Sequence, residues 1–432
     1  MDAPTFLRSR SAPRQRWFVA GLLLLFIGLS VQYSLKVLNH RSAFERWREQ
    51  ILQMEDGTDI QEKFNYPNPP IMALLLEPLV QLPPLAGALC WFYLKVAMTL
   101  LAIHWAFSLV ERPERPFPAW GKALTVLLSL RPIMGDLTHG NVNLFILFLV
   151  LGTLYAFRRR RDFTAGITLA LAIACKVTPA LLVPYFVWKR AWKTLAGCML
   201  GLGLFFWLVP GSLLGMEENA RYLHSWVEHM ILPYVVGGEV TTDHNNQSLP
   251  GLVHRMVTHS PSFSTYVNNL YTPVEYRNVL DLPPAWARLL VKGCMAVFAA
   301  LVLWTCRTPT FSRRNWRLAA EYSLILLGML LFSERTWKHH CVTLLLPFTV
   351  LVYYLAACRP PARLRVYLIG TLSAVVLLMT TTSTGLVDDL ERAAKLAQAY
   401  GAYVWAYVLL AAALVVILRR QEAPKKVMLP GI

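Results

Sequence analysis

The chain has 432 residues, 56% of them hydrophobic and 16% charged, with a formal net charge of +17. Apolar runs as long as the hydrocarbon core of a bilayer recur along it, which excludes an ordinary soluble domain. The basic excess does not signal nucleic acid, because the lysines and arginines are neither interleaved with aromatics on one face nor gathered in a domain of their own.

In chain order, runs close to the roughly 20 apolar residues that a span needs fall at residues 17–37, 85–110, 120–138, 141–157, 192–213, 284–304, 318–331, 340–357, 364–381 and 400–418. They predict an all-α fold, a polytopic transmembrane helical bundle over residues 17–419, with tails at residues 1–16 and 420–432. The first run is longer than the core of a signal peptide and no A-x-A-like site follows it, so it reads as a retained anchor. More than half of the 42 basic residues collect in alternate loops. They share one side if the segment between Arg161 and Lys189 turns back on itself. A multi-pass protein of the cell membrane with both tails cytoplasmic then follows from the positive-inside rule. All seven cysteines lie in or at the ends of apolar segments with no CxxC pair, so neither a disulfide framework nor a zinc site is expected.

The first outer loop, residues 38–84, opens with Phe44, Trp47, Ile51 and Met54 at near-helical spacing, which predicts a helix lying along the membrane surface and docked on its neighbours. The apolar stretch at residues 71–82 is closed by Pro83-Pro84 and is too short to span, so it reads as a re-entrant or interfacial helix. Residues 164–188 are broken by Lys176-Val177-Thr178-Pro179 and read as two half-helices meeting at Lys176. That lysine either faces a ligand or caps carbonyls that Pro179 frees. The second outer loop, residues 214–283, carries Asp243, His244, Asn246, Gln247 and Arg255, as the lip of a site or as a solvated turn. Lys338, His339 and His340 follow in direct succession and suit an anion such as a lipid phosphate, or else an interface anchor. Adjacent helical histidines point about 100° apart, which argues against a metal pair. Arg131-Pro132 and the stretch from Asp136 to Asn143 form a fourth polar interruption, in which Arg131 is expected to pair with Asp136. Four interruptions on one side predict a single outward-facing cavity at the membrane surface.

Taken in order, these pieces resemble glycosyltransferase family 87, the polyprenyl-phosphate-mannose-dependent mannosyltransferases of the GT-C superfamily. The resemblance rests on Asp59-Ile60 with Phe64 to Pro70 and the Leu-rich run to Pro84; on Arg131-Pro132 with Gly140-Asn141-Val142-Asn143; on Lys176-Val177-Thr178-Pro179; on Asn246-Gln247-Ser248-Leu249; and on Trp337-Lys338-His339-His340. It implies a GT-C-like bundle that moves a hexose, mannose in this family, from a polyprenyl-phosphate donor to a glycan or glycolipid acceptor on the extracytoplasmic face, with inversion. A carboxylate must take the acceptor proton while cationic donors steady the departing lipid phosphate. The resemblance makes Lys176, Asn141, Asn246, Gln247, Lys338, His339 and His340 candidates for the donor phosphate and substrate.

One departure bears on catalysis. The family places its catalytic aspartate just after the first span, where this chain reads Ser42-Ala43-Phe44. The candidate bases are therefore Glu45 and Asp59, with loss or change of activity as the other outcome. No cofactor, metal or nucleic-acid partner is expected, since no dedicated cage is legible. A transporter or flippase of lipid-linked sugars is the competing class, because broken helices also build transport sites.

Overall fold

A computed structural model of the chain describes residues 13–267, 270–311, 313–383 and 388–420. Residues 1–12 and 421–432, most of the two expected tails, lie outside the described residues. The elements run α1 (Pro13–Leu38), α2 (Ala43–Glu55), α3 (Ile60–Phe64), α4 (Pro70–Val80), α5 (Pro84–Val110), α6 (Ala119–His139), α7 (Asn143–Arg158) and α8 (Asp162–Cys175). After a 3-10 turn at Thr178–Leu181 come α9 (Leu182–Trp188), α10 (Trp192–Gly203), a π-helical stretch at Leu204–Leu208, α11 (Val209–Leu214), α12 (Met216–Trp226) and a second π stretch at Val227–Val236. Then follow α13 (Leu249–Val257), the strands β1 (Pro261–Val267) and β2 (Leu270–Tyr276), α14 (Pro284–Thr305), α15 (Trp316–Phe332), a 3-10 turn at Lys338–Leu344, α16 (Leu345–Ala357), α17 (Ala362–Thr381), α18 (Asp388–Ala399) and α19 (Ala402–Arg419).

Each predicted span is occupied by helix. Among the described residues, six helices are long and apolar enough to cross a bilayer by length and composition. Burial sorts them: 78% of the Lys338–Ala357 window is buried within the protein and only 11% of the Pro284–Thr305 window. The first is therefore a core helix and α14 turns most of its surface outward, to lipid in a membrane protein. Alongside the first, α15 is buried over nearly its whole length. Its Glu321 is held by Lys189 Nζ at 2.6 Å, the Tyr185 hydroxyl at 2.8 Å and the Thr308 backbone N–H at 2.7 Å. A buried carboxylate is tolerated only with such a full set of donors.

The polar capping pattern explains where helices start and stop. Asp59 caps α3 by accepting from the N–H groups of Gln61 and Glu62, Ser248 caps α13 through Gly251 N–H, and Asn315 caps α15 through Arg317 N–H. Pro70 and Pro84 open α4 and α5 from the first helical turn, where a missing N–H costs nothing. The α8–α10 contact is a close backbone approach: a Cβ on Gly166 would lie 2.1 Å from the Thr194 carbonyl oxygen, so only glycine fits.

The segment between Arg161 and Lys189 turns back as expected. Asp162 at the start of α8 pairs with Arg313, while Lys189 past the end of α9 donates to the Cys306 and Thr308 carbonyls. Both ends thus sit at the basic end of the bundle, and Lys176 at the turn reaches the opposite end. The second outer loop is not a solvated turn but is built from α12, the π stretch, α13 and a β-hairpin. None of the seven cysteines forms a disulfide.

Candidate functional site

The site grows from the turn between α6 and α7. Gly140 closes α6 in the left-handed region at φ +78°, its N–H returning to the Asp136 carbonyl. That reversal brings Asp136 back onto the start of α7. Its carboxylate accepts from the Asn143 amide at 3.0 Å, the Leu144 N–H at 3.3 Å and Lys95 Nζ at 3.5 Å. Lys95, on α5, donates also to the Asp136 carbonyl at 2.8 Å, and Trp91 one turn before it bonds the Gly140 carbonyl. The expected Arg131–Asp136 pair does not form. Five helical residues rotate a side chain by about 140° relative to its partner, and Arg131 donates instead to the Met379 carbonyl.

Asn143 links this buried pair to the broken segment. Its side-chain oxygen accepts from Lys176 Nζ at 2.6 Å while its amide donates to Asp136. Lys176 therefore does not cap the carbonyls around Pro179. It aims across the break into a small cavity of about 30 Å³ that it shares with Asn143, Ser333, Thr336 and His340.

The third wall is the Trp337–His340 turn. The Trp337 N–H donates to His340 Nδ1 at 3.3 Å, which leaves His340 Nε2 to carry the proton and act as a donor. Asn141 spends its carbonyl on the Val142 N–H at 2.7 Å, so its amide donates to His339 Nε2 at 3.1 Å. His339 in turn stacks on His139, with ring centroids 4.7 Å apart and planes at 14°. The start of α2 forms the fourth wall, where Ser42 bonds the Tyr33 hydroxyl beside Gly140. Lys36, Lys95 and Arg46 all lie within electrostatic reach of His139. The cluster is thus cationic, with Asp136 already committed to Lys95.

The two candidate bases separate. Glu45, in the first turn of α2, takes a contact from His40 at 3.2 Å on one oxygen, while its other oxygen is buried without a hydrogen-bond partner. Asp59 lies beyond the far end of α2, a helix of 13 residues and so roughly 20 Å long. Its carboxylate is spent on capping α3. Ala43, where the resemblance expects the aspartate, is buried.

Three residues expected at the donor are turned to the protein itself. Asn246 donates to the Thr241 and Glu334 carbonyls and accepts from the Ser248 and Thr336 N–H groups. Gln247 donates to the His244 and Gln398 carbonyls and accepts from the Tyr403 N–H, and Lys338 Nζ caps the Thr382 carbonyl at 2.6 Å. Their amide and ammonium groups meet backbone partners because the loops they tie together would otherwise bury unpaired peptide groups. They fix the position of the Trp337–His340 turn. Arg255, fully buried, completes this strut by donating to the Ala399, Thr242 and Asp243 carbonyls, and burial lowers its pKa to about 10, still fully charged. Asp243 beside it is pulled upward by burial, but hydrogen bonds from His244, the Asn245 N–H and Ser264 hold it below the ordinary carboxylate range.

Lys95, Asn143, His139 and Glu334 belong to the site although they were not among the expected site residues. An unpaired-looking lysine ten residues inside an apolar span was the signal for Lys95. Glu334 lies within electrostatic reach of Lys176, and the Ser333 hydroxyl donates to it at 3.2 Å.

A sequence profile described as glycosyltransferase family 87 matches residues 66–334, well over half of the chain. The chain is 27% identical to a polyprenol-phosphate-mannose-dependent alpha-(1-2)-phosphatidylinositol mannoside mannosyltransferase of Mycolicibacterium smegmatis, over 91% of this chain and 88% of that one. It is 25% identical to a polyprenol-phosphate-mannose-dependent alpha-(1-2)-phosphatidylinositol pentamannoside mannosyltransferase of Mycobacterium tuberculosis, over 71% of this chain and 62% of that one. No solved structure matches it. A helical membrane bundle with a cationic cluster at one end and a profile match over residues 66–334 has one consistent assignment: the chain belongs to glycosyltransferase family 87.

Proposed function

We propose that the chain transfers a mannosyl group from a polyprenyl-phosphate donor to a glycolipid or glycan acceptor at the end of the bundle opposite its basic loops. By the positive-inside rule that end is extracytoplasmic and both tails are cytoplasmic. The observation that carries the reading is the convergence of Lys176, His340, His339 and Asn141 on one spot at the helix ends, where, among the described residues, Glu334 and one oxygen of Glu45 are the acid groups not already committed to a cation. The relatives named above support mannose as the sugar and a polyprenol phosphate as its carrier.

In the reaction the acceptor oxygen forms its bond to C1 as the bond from C1 to the phosphate oxygen breaks. The acceptor proton passes to a carboxylate and the lipid phosphate leaves with the electron pair. Lys176 and His340 Nε2–H donate to that phosphate, which gains charge as the bond breaks and so is held tighter in the transition state than in the ground state. A cavity of about 30 Å³ admits phosphate oxygens or a water, not a hexose, so the sugar lies toward Asn141 and His339.

Glu45 is the proposed base, because it stands at the wall of the site with one buried carboxylate oxygen free. Two helical positions on from Ala43 is about 200° round the helix, so Glu45 does not simply replace an aspartate there. That geometry favours a second reading in which Glu334, an acid within electrostatic reach of Lys176, takes the proton. Transfer from synthetic polyprenyl-phosphate mannose by purified Glu45→Gln and Glu334→Gln variants separates them. Loss of turnover in one alone, at unchanged expression, identifies the base; full activity in both overturns a carboxylate base at either position.

A further inference from the structure

A second cavity, of about 310 Å³, lies at the other end of the bundle between the end of α14, the start of α15 and the end of α19. Four of its lining residues are arginines: Arg307, Arg317, Arg419 and Arg420. Among the described residues no acid lines it, and none of the four has an acidic partner. Three cations at the same end are paired instead: Arg313 with Asp162, Lys122 with Glu111 and Lys189 with Glu321.

Two of the guanidiniums are also held in place. Arg317 donates to the Leu418 and Arg420 carbonyls, which ties the start of α15 to the end of α19. Arg419 lies over the Trp304 ring at 4.0 Å. Asn315 caps α15 and accepts from Arg112, so the helix start adds its own positive potential to that of the arginines. Satisfying the positive-inside rule needs none of this; exposed arginines on loops such as Arg190 and Arg359 serve it without a cavity. A concave, acid-free site of four planar donors matches the tetrahedral, multiply charged oxygens of a phosphate.

We propose that this cavity binds a phosphate group, as the headgroup of an anionic phospholipid or as a soluble phosphate. With α15 of 17 residues rising about 1.5 Å each, it lies roughly 25 Å from the candidate active site and is separate from it. Because α14 faces lipid and ends at the cavity, a lipid of the leaflet on that side reaches it with its tails still in the bilayer.

The test is native mass spectrometry of the delipidated full chain titrated with phosphatidylglycerol, phosphatidylcholine and inorganic phosphate. The variant Arg307→Gln/Arg420→Gln removes two exposed guanidiniums, and Arg190→Gln/Arg359→Gln is the control at the same end. At roughly fivefold per arginine, the cavity variant is expected to bind phosphatidylglycerol about 30-fold more weakly, while the control matches wild type. Retained phosphatidylglycerol with that loss assigns the lipid headgroup. Inorganic phosphate retained with the same loss, and no lipid preference, assigns a soluble phosphate. Equal retention of all three species, or equal binding of both phosphatidylglycerol and inorganic phosphate by cavity variant and wild type, overturns the proposal.

Discussion

The buried Lys95–Asp136 pair is the hinge on which the site is hung, and cutting it tests that role directly. Both side chains are fully buried and their charges are 3.5 Å apart. At an effective dielectric near 20, that separation corresponds to about 5 kcal/mol of attraction. Removing one partner strands the other, for which about 3–5 kcal/mol of lost stability is typical. Lys95→Met leaves Asp136 with the Asn143 and Leu144 donors, and Asp136→Leu leaves Lys95 with only a carbonyl. Each single variant is therefore expected to unfold far more readily in detergent. Lys95→Met/Asp136→Leu, which leaves no stranded charge, should cost clearly less than the sum of the two. The assay is a double-mutant cycle on unfolding free energy, or on inactivation half-life where unfolding is irreversible. Additive losses, with no coupling beyond about 0.5 kcal/mol, would refute the pairing.

Four further outcomes follow from the same geometry. Lys176→Ala is expected to lower kcat by about 10²- to 10³-fold, as loss of a transition-state donor does, with Lys176→Arg partly rescuing; steady-state transfer kinetics check it. Asp59→Ala is expected to leave kcat within about twofold and to cost about 1 kcal/mol through the lost α3 cap, read by transfer rate and thermal stability together. Gly140→Ala should impair both folding and transfer, since its Cβ would fall 2.6 Å from the Ser42 hydroxyl oxygen and 2.7 Å from that of Tyr33 at a positive φ; retention of wild-type activity would contradict the docking of α2 on this turn. Asp243 has a native pKa below its ordinary value of 3.8, so the unfolded chain binds more protons in that range. Its contribution is complete above the ordinary value and is lost as pH falls through the native one. Unfolding followed from pH 6 down to pH 3 should therefore show a smaller acid-induced loss in Asp243→Asn than in wild type.

Much of the fold was legible because a bilayer forces the sequence to declare its spans. Twelve apolar residues closed by Pro83-Pro84 had to be a short helix, and α4 is one. The break at Lys176 was legible for the same reason, since a lysine and a proline interrupt an otherwise unbroken apolar run. The hairpin of β1 and β2 was not anticipated, although Asn268-Asn269 between Tyr- and Val-containing runs carries the residue types of a hairpin turn. The limits of motif reading show in Asn246 and Gln247. An amide in a loop looks the same in sequence whether it meets a ligand or a backbone carbonyl, and only the fold shows that Gln398 and Glu334 supply those carbonyls. Lys95 was hidden for the opposite reason: a single charge barely dents the hydropathy of a 27-residue helix, yet it anchors the site. The carboxylate remained divided between Glu45 and Asp59 in sequence because both lie in the first outer loop. The length of α2 separates them.

The most direct test of the central claim is transfer of radiolabelled mannose from synthetic polyprenyl-phosphate mannose to a phosphatidylinositol mannoside by the purified protein, wild type beside Lys176→Ala. Transfer by wild type that collapses in the variant, with the lipid phosphate released in equal amount, is the predicted result. Absence of transfer from any lipid-linked hexose, together with movement of the intact donor across a vesicle bilayer that contains the protein, would contradict it and make the chain a carrier of sugar lipids.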